Sequence, residues 1–235
     1  MKKVKLYLAS AVLFAVICFP AFSQTDSRET RNARNFSRIS YGVPGTLYVS
    51  LGSEYKVVIE GRSDILREIE TEVTGDRLVI KQRNWRFSMR DTRITVYVTM
   101  PEISGLSVSG SGRAEIKDPV TTGRLDLSVS GSGRLYTSKV DVKELKCSIS
   151  GSGDIIMDNG GRADEADISI SGSGNFTGES LTADEMSARI SGSGSCSCNV
   201  SESLNASISG SGNITYSGNP RINARVSGSG RVRSR

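Results

Sequence analysis

Through the second half of the chain apolar and polar residues alternate with a period of two, and the alternation restarts seven times around one tetrapeptide, Ser-Gly-Ser-Gly. The residue just before each copy is Val108, Val129, Ile149, Ile170, Ile190, Ile208 or Val226, always β-branched. Two places earlier stand Leu106, Leu127, Cys147, Ile168, Ala188, Ala206 and Ala224. The second residue after each copy is Ala114, Leu135, Ile155, Phe176, Cys196, Ile214 or Val232. Alternation of this kind places every second side chain on one face of a strand, and β-branched enrichment favours the same assignment. A flexible Gly/Ser linker would have no periodic flanks.

The copies start at Ser109, Ser130, Ser150, Ser171, Ser191, Ser209 and Ser227, at intervals of 21, 20, 21, 20, 18 and 18 residues. Strands at that spacing, with no helical stretch between them, predict an all-β fold: a β-solenoid of about seven coils over 105–235. Coils stack about 4.8 Å apart, so seven span roughly 30 Å, and equivalent residues form ladders. The glycine pairs Gly110/Gly112, Gly131/Gly133, Gly151/Gly153, Gly172/Gly174, Gly192/Gly194, Gly210/Gly212 and Gly228/Gly230 are then structural. They supply a bend, a left-handed backbone or the close approach of neighbouring coils. The paired serines are expected to form hydroxyl ladders and to satisfy the turn backbone.

Ahead of the repeats the pattern is less regular. Thr46–Leu51 alternates, Gly52-Ser53-Glu54 turns and Tyr55–Glu60 returns; Glu68–Val73 and Arg77–Gln82 flank Thr74-Gly75-Asp76 as a hairpin; Thr92–Met100 is a further strand closed by Pro101. These segments predict an irregular N-terminal β cap over 39–104, because solenoids need an end cover. Residues 24–38 are polar without periodicity and read as a flexible arm. At the far end the last coil stops at Arg231-Val232-Arg233-Ser234-Arg235. An uncovered coil is an exposed strand edge, so a homo-oligomer formed through the C-terminal coil is one expectation and arginine gatekeeping is the other.

Residues 1–23 read as a secretory signal: Lys2, Lys3 and Lys5 precede an apolar run from Leu6 to Phe19, and Ala21-Phe22-Ser23 supplies small residues for cleavage. Cys18 raises the rival reading of a lipoprotein signal, to which bulky Ile17 is a poor fit. The run is short for a transmembrane span and no other follows. The expected location is the periplasm, the cell surface or the medium. Without Lys2, Lys3 and Lys5 the 30 basic residues fall to 27 against 25 acidic ones, a net of +2. That removes the bulk charge argument for nucleic acid, and no basic stripe with repeated aromatics restores it.

The chain has no histidine, so Ser-His-Asp and Cys-His nucleophiles and histidine metal sites are excluded. The position after each tetrapeptide is Arg113, Arg134, Asp154, Asn175, Ser195, Asn213 or Arg231, a solvated face and not a ladder of metal ligands. Asp154 with Asp158, and Asp164, Glu165 and Asp167, read as turn residues before they read as an acid/base pair. Cys147, Cys196 and Cys198 fall on inward ladder positions and read as small buried residues. No cofactor and no metal are called for, and the chain is expected not to be an enzyme.

One segment looks placed for contact. Lys81–Arg93 holds five basic residues against one Asp, with the only tryptophan. Trp85, Arg83, Arg86, Phe87 and Arg90 are the candidate ligand-binding residues, since Trp and Arg together make binding hot spots and aromatic faces stack on sugars. The alternative is a hairpin loop whose Trp85 plugs the end of the core.

Together the export signal, the segment TLYVSLGSEYKVVIEG followed by DRLVIK, and repeats such as LSVSGSGRLY, CSISGSGDII and ISISGSGNFT resemble the auto-transporter adhesin head (GIN) domain family of Bacteroidota, over residues 36 to 233. The resemblance implies a right-handed parallel β-helix with an N-terminal β region, exported to the envelope or surface, and it brings no catalytic residues. The function expected first is a non-enzymatic adhesin-like module binding a glycan or extracellular-matrix ligand. A structural, self-assembling envelope component is the second reading. A polysaccharide lyase or hydrolase is the third, on fold analogy alone.

Overall fold

A computed structural model describes residues 27–84 and 93–235; the leader assigned to 1–23 lies outside them. Strands in chain order are β1 (Ser27–Arg31), β2 (Arg38–Gly42), β3 (Thr46–Leu51), β4 (Lys56–Gly61), β5 (Ile69–Thr74), β6 (Arg77–Gln82), β7 (Thr95–Met100), β8 (Gly105–Gly110) and β9 (Arg113–Ile116). There follow β10 (Val120–Gly131), β11 (Arg134–Thr137), β12 (Val140–Gly151), β13 (Asp154–Ile156), β14 (Gly161–Gly172), β15 (Asn175–Gly192), β16 (Ser195–Gly210), β17 (Asn213–Ser217), β18 (Arg221–Gly228) and β19 (Arg231–Ser234). One helical turn, α1 (Ser63–Leu66), puts Ile65 and Leu66 into the core.

The predicted ladders are present. Leu106, Leu127, Cys147, Ile168, Ala188, Ala206 and Ala224 are successive parallel partners, and so are Val108, Val129, Ile149, Ile170, Ile190, Ile208 and Val226. On the next face Ala114, Leu135, Ile155, Phe176, Cys196, Ile214 and Val232 stack in the same way. Gly123, Lys143 and Asp164 fall out of register and divide β10, β12 and β14 into a short and a long arm, so each turn carries three strand segments. The solenoid has about six turns and not the seven coils expected. Seven equivalent bends enclose six complete circuits.

The N-terminal region departs further from expectation. β2 and β3 pair in parallel with β8 and β9 on one side and with β6 and β7 on the other, so both layers continue the stack. The ladder Leu78–Ile39–Leu106–Leu127 runs straight through the expected boundary at 104. True end cover is thinner: β5 lies antiparallel on β6, and β4 and β1 lie antiparallel beyond β7. From Ser27 onward the expected arm is part of the fold. β1 pairs with β4, Phe36 is buried and its ring meets Tyr55 at 5.0 Å. β1 shows no sequence period because both its sides carry polar groups: Arg28 pairs with Glu60 at 3.2 Å, and Arg31 donates to the Leu66 carbonyl at 2.8 Å. Among the described residues no helix is long and apolar enough to cross a membrane.

Candidate ligand-binding surface

The bends come first, because they fix where everything else projects. Each glycine carbonyl of one bend accepts an amide proton from the next coil: Ser152 N–H to Gly131 at 2.9 Å and Asp154 N–H to Gly133 at 3.1 Å. A Cβ on Gly151, at φ 110°, would lie 2.6 Å from the Gly131 carbonyl oxygen. One on Gly153 would lie 2.5 Å from the Gly133 oxygen and would also strike Val129 Cγ1. The first glycine is required by conformation and close approach, the second by close approach alone.

The second glycine of the other bends repeats this and corrects one expectation. A left-handed backbone was one role foreseen for both members of each pair, yet Gly112, Gly174, Gly194 and Gly212 have no positive φ. They are buried instead, against the layer below. A Cβ would lie 2.6 Å from the Val43 carbonyl oxygen at Gly112 and 2.3 Å from that of Gly153 at Gly174. At Gly194 it would lie 2.4 Å from the Gly174 oxygen, and at Gly212 2.7 Å from the Gly194 oxygen. Their own carbonyls accept from Arg134, Ser195, Asn213 and Arg231 at 3.0 to 3.2 Å. Backbone amides therefore satisfy the bend, where hydroxyl ladders had been expected. A hydroxyl pair does join Ser107 and Ser128, at 2.6 Å, one place ahead of the bend-preceding valines.

In the β2–β3 layer Gly42-Val43-Pro44-Gly45 makes the same corner, and the Gly45 carbonyl accepts from Arg113 at 2.8 Å. In the β6–β7 layer Lys81 is registered with Gly42 and Thr95 with Thr46, so the chain from 82 to 94 connects two ladder positions that 43–45 connect in the neighbouring layer. Arg83 is exposed, and its amide donates to the Glu68 carbonyl at 2.7 Å. Trp85, Arg86, Phe87 and Arg90 lie outside the described residues.

β7 carries a feature that sequence reasoning missed. Tyr97, Tyr48, Glu115, Tyr136 and Ile156 form one outward row across β7, β3, β9, β11 and β13. Tyr97 and Tyr48 stack with centroids 5.7 Å apart and planes inclined at 27°, and Tyr97 is 38% exposed, which leaves ring surface for a ligand. Lys117 Nζ sits 4.6 Å from the Tyr48 centroid, and the Arg113 guanidinium 3.9 Å from that of Tyr136. Glu115 holds both cations, Lys117 at 2.6 Å and Arg113 at 3.5 Å. Cation–π contacts and ion pairs thus hold the rings in place before any ligand arrives. Partial burial, then the Glu60 carboxylate, raise the Tyr97 phenol above its ordinary value. The signal was present in the sequence as Leu-Tyr-Val, Val-Tyr-Val and Leu-Tyr-Thr, aromatic residues on the outward phase of three strands.

Other candidate chemistry disperses. Asp154 is held by Arg134 at 3.2 Å and by Asn175 at 2.9 Å, and Asp167 by Arg189 at 2.8 Å. Cys147, Cys196 and Cys198 are buried and free. Burial pushes the Cys147 thiol up, and a hydrogen bond with Cys198, then burial, does the same to Cys196. Among the described residues no group of three or more Cys, Asp and Glu could hold a metal ion.

A family model described as "Putative auto-transporter adhesin, head GIN domain" matches residues 35–220. A crystal structure of a "putative adhesin" from Bacteroides fragilis superposes with a TM-score of 0.85 at 25% identity, covering 91% of this chain and 98% of that one. A "putative adhesin" from Parabacteroides merdae gives 0.74 at 23%, covering 91% and 97%. A "putative lipid binding protein" from Parabacteroides distasonis gives 0.71 at 21%, covering 91% and 98%; these two likenesses show the fold alone. Comparison with curated proteins found no match.

Proposed function

The chain belongs to the auto-transporter adhesin head GIN domain family, and from that premise we propose that it is an exported, non-enzymatic module that binds a glycan or extracellular-matrix ligand. The observation that carries this reading is the outward tyrosine row on β7, β3 and β11, where Tyr97 stacks on Tyr48. The candidate residues Arg83, Trp85, Arg86, Phe87 and Arg90 belong to the chain segment that leads into β7. Flat rings take the apolar face of a sugar and tethered cations take its hydroxyls or acidic groups. The glycines Gly110 to Gly230 of the seven bends are the scaffold, with no ligand role.

The test is binding of the purified chain to a glycan and matrix array, with Trp85→Ala/Arg86→Ala protein beside it. A saturable signal lost in the double variant supports recognition at the loop. Silence from a folded wild type counts against the ligand reading and favours an envelope assembly component. The exposed apolar side chains Ile222 and Val226 in the last coil support that second reading.

A further inference from the structure

The two ends of the stack differ in charge but match in pattern. In β18 the ladder positions Ile222, Ala224 and Val226 face inward, yet Ile222 and Val226 are 44% and 45% exposed. Among the described residues β18 is paired on one side only, with β16. Residues 221–235 hold Arg221, Arg225, Arg231, Arg233 and Arg235 and no acidic side chain. At the other end β5 is likewise paired, among the described residues, on one side only, with β6. Ile69, Thr71 and Val73 lie opposite Gln82, Ile80 and Leu78 and share the inward side, while Glu70 and Glu72 face out. One edge is apolar inside and basic outside; the other is apolar inside and acidic outside.

We propose that this protein assembles head to tail, β18 of one copy adding to β5 of the next. Directions agree: β18 runs parallel to every strand of its face down to β6, and β5 runs antiparallel to β6, so coaxial copies present an antiparallel pair. Register agrees as well. Continuing the coaxial ladders sets Val73, through Leu78, opposite Ala224, and Thr71, through Ile80, opposite Val226; outside, Glu72 meets Arg225, while Glu70, paired with Lys81 at 3.6 Å in its own copy, falls opposite Ser227. Apolar residues continue the core ladder and opposite charges face one another outside.

A symmetric tail-to-tail pair is disfavoured, because it would bring the arginine-only coils together. On the adjoining face β1 closes the head end with charged residues already paired, Arg28 to Glu60 and Arg31 to Glu29. The joint therefore rests on one face, and heterologous addition of this kind gives an open series, not a closed ring. This inference does not rest on ligand binding: the tyrosine row lies on another face, and array binding can succeed or fail independently of it.

Sedimentation velocity on the purified chain tests it. Wild type is expected to form a concentration-dependent series beyond the dimer that weakens with salt. Ile222→Lys/Val226→Lys and Thr71→Lys/Glu72→Lys are each expected to be monomeric alone, yet to form a one-to-one heterodimer when mixed, since each supplies the end the other lacks. Should either variant lose its β-sheet circular dichroism, Arg225→Glu and Glu72→Arg replace them: each alone assembles about tenfold more weakly, and mixing restores association. Wild type that stays monomeric overturns the proposal. So does a series that stops at dimers while the β5 variant still dimerises.

Discussion

The Ser-Gly-Ser-Gly stack and the layers ahead of it are built on the same ladders, yet only the first repeats in sequence. In the stack each bend is four residues with two glycines pressed against the bend below, and every turn is bound to copy its neighbour. In the N-terminal layers the one described corner is Gly42-Val43-Pro44-Gly45, which shares no Ser-Gly-Ser-Gly, and antiparallel strands close the end. The outward row that varies through Glu115, Tyr136, Ile156, Thr177 and Ser197 in the stack is a stacked tyrosine pair, Tyr48 and Tyr97, here. Repetition supplies spacing, and departure from repetition supplies a surface with chemistry on it.

The sharpest way to break the comparison is at the bends. Gly153→Val forces a branched side chain against a backbone carbonyl and Val129, and should cost more than about 4 kcal/mol, read as lost folding or a collapsed thermal midpoint. Gly151→Val adds strain at positive φ and should be nearly as damaging. Gly123→Ala is the control: nothing lies within 4 Å of its new Cβ, so a change within about 0.5 kcal/mol is expected.

A second test asks whether both regions form one core. Leu47 and Leu135 stand on the same inward ladder, separated by Ala114, and both are fully buried. Leu47→Ala and Leu135→Ala should each cost about 3 kcal/mol in a single cooperative denaturant transition. Two transitions, with Leu47→Ala moving only one, would restore a separate cap.

Alkaline pH gives a smaller effect. Burial, then Asp126 and Asp167, raise the Cys147 thiol well above its ordinary value. Folding therefore holds a proton that the unfolded chain releases. Stability is unaffected below the ordinary thiol value of about 8.5 and falls as pH climbs above it, by up to about 1.4 kcal/mol per unit. Thermal midpoints from pH 7 to 10 should drop in wild type and drop less steeply in Cys147→Ala. Equal slopes would show that this thiol is not the cause.

How much was legible follows from the same contrast. Every inward position near a Ser-Gly-Ser-Gly copy was readable, cysteines included, because seven repetitions fix the phase. The two glycines of a copy look alike in sequence, and only the backbone separates the left-handed first from the tightly covered second. The β2–β3 layer was not recognised as a turn of the stack, since Gly42–Gly45 shares only its glycines with the repeat. Nor can local pattern reveal that β6–β7 stacks outside β2–β3 although it comes later in the chain; that order is set by distant pairing. β1 hid because a strand polar on both sides has no period. Tyr48, Tyr97 and Tyr136 were visible on the outward phase of their strands, and only the register shows that they fall in one row. The loop 81–93 was singled out by composition and lies largely outside the described residues, while the ring platform on β3 and β7 needed three-dimensional neighbours.

The central claim is that recognition belongs to the irregular layers and not to the repeat. Its most direct test is to titrate the strongest array ligand against Tyr48→Ala/Tyr97→Ala and against Ser128→Ala/Ser148→Ala, both checked for wild-type melting. The account predicts about a tenfold or greater loss of affinity in the tyrosine variant, about 1.4 kcal/mol, and unchanged binding in the serine variant. Loss in the serine variant with the tyrosine variant intact would contradict it and place recognition on the repeat face.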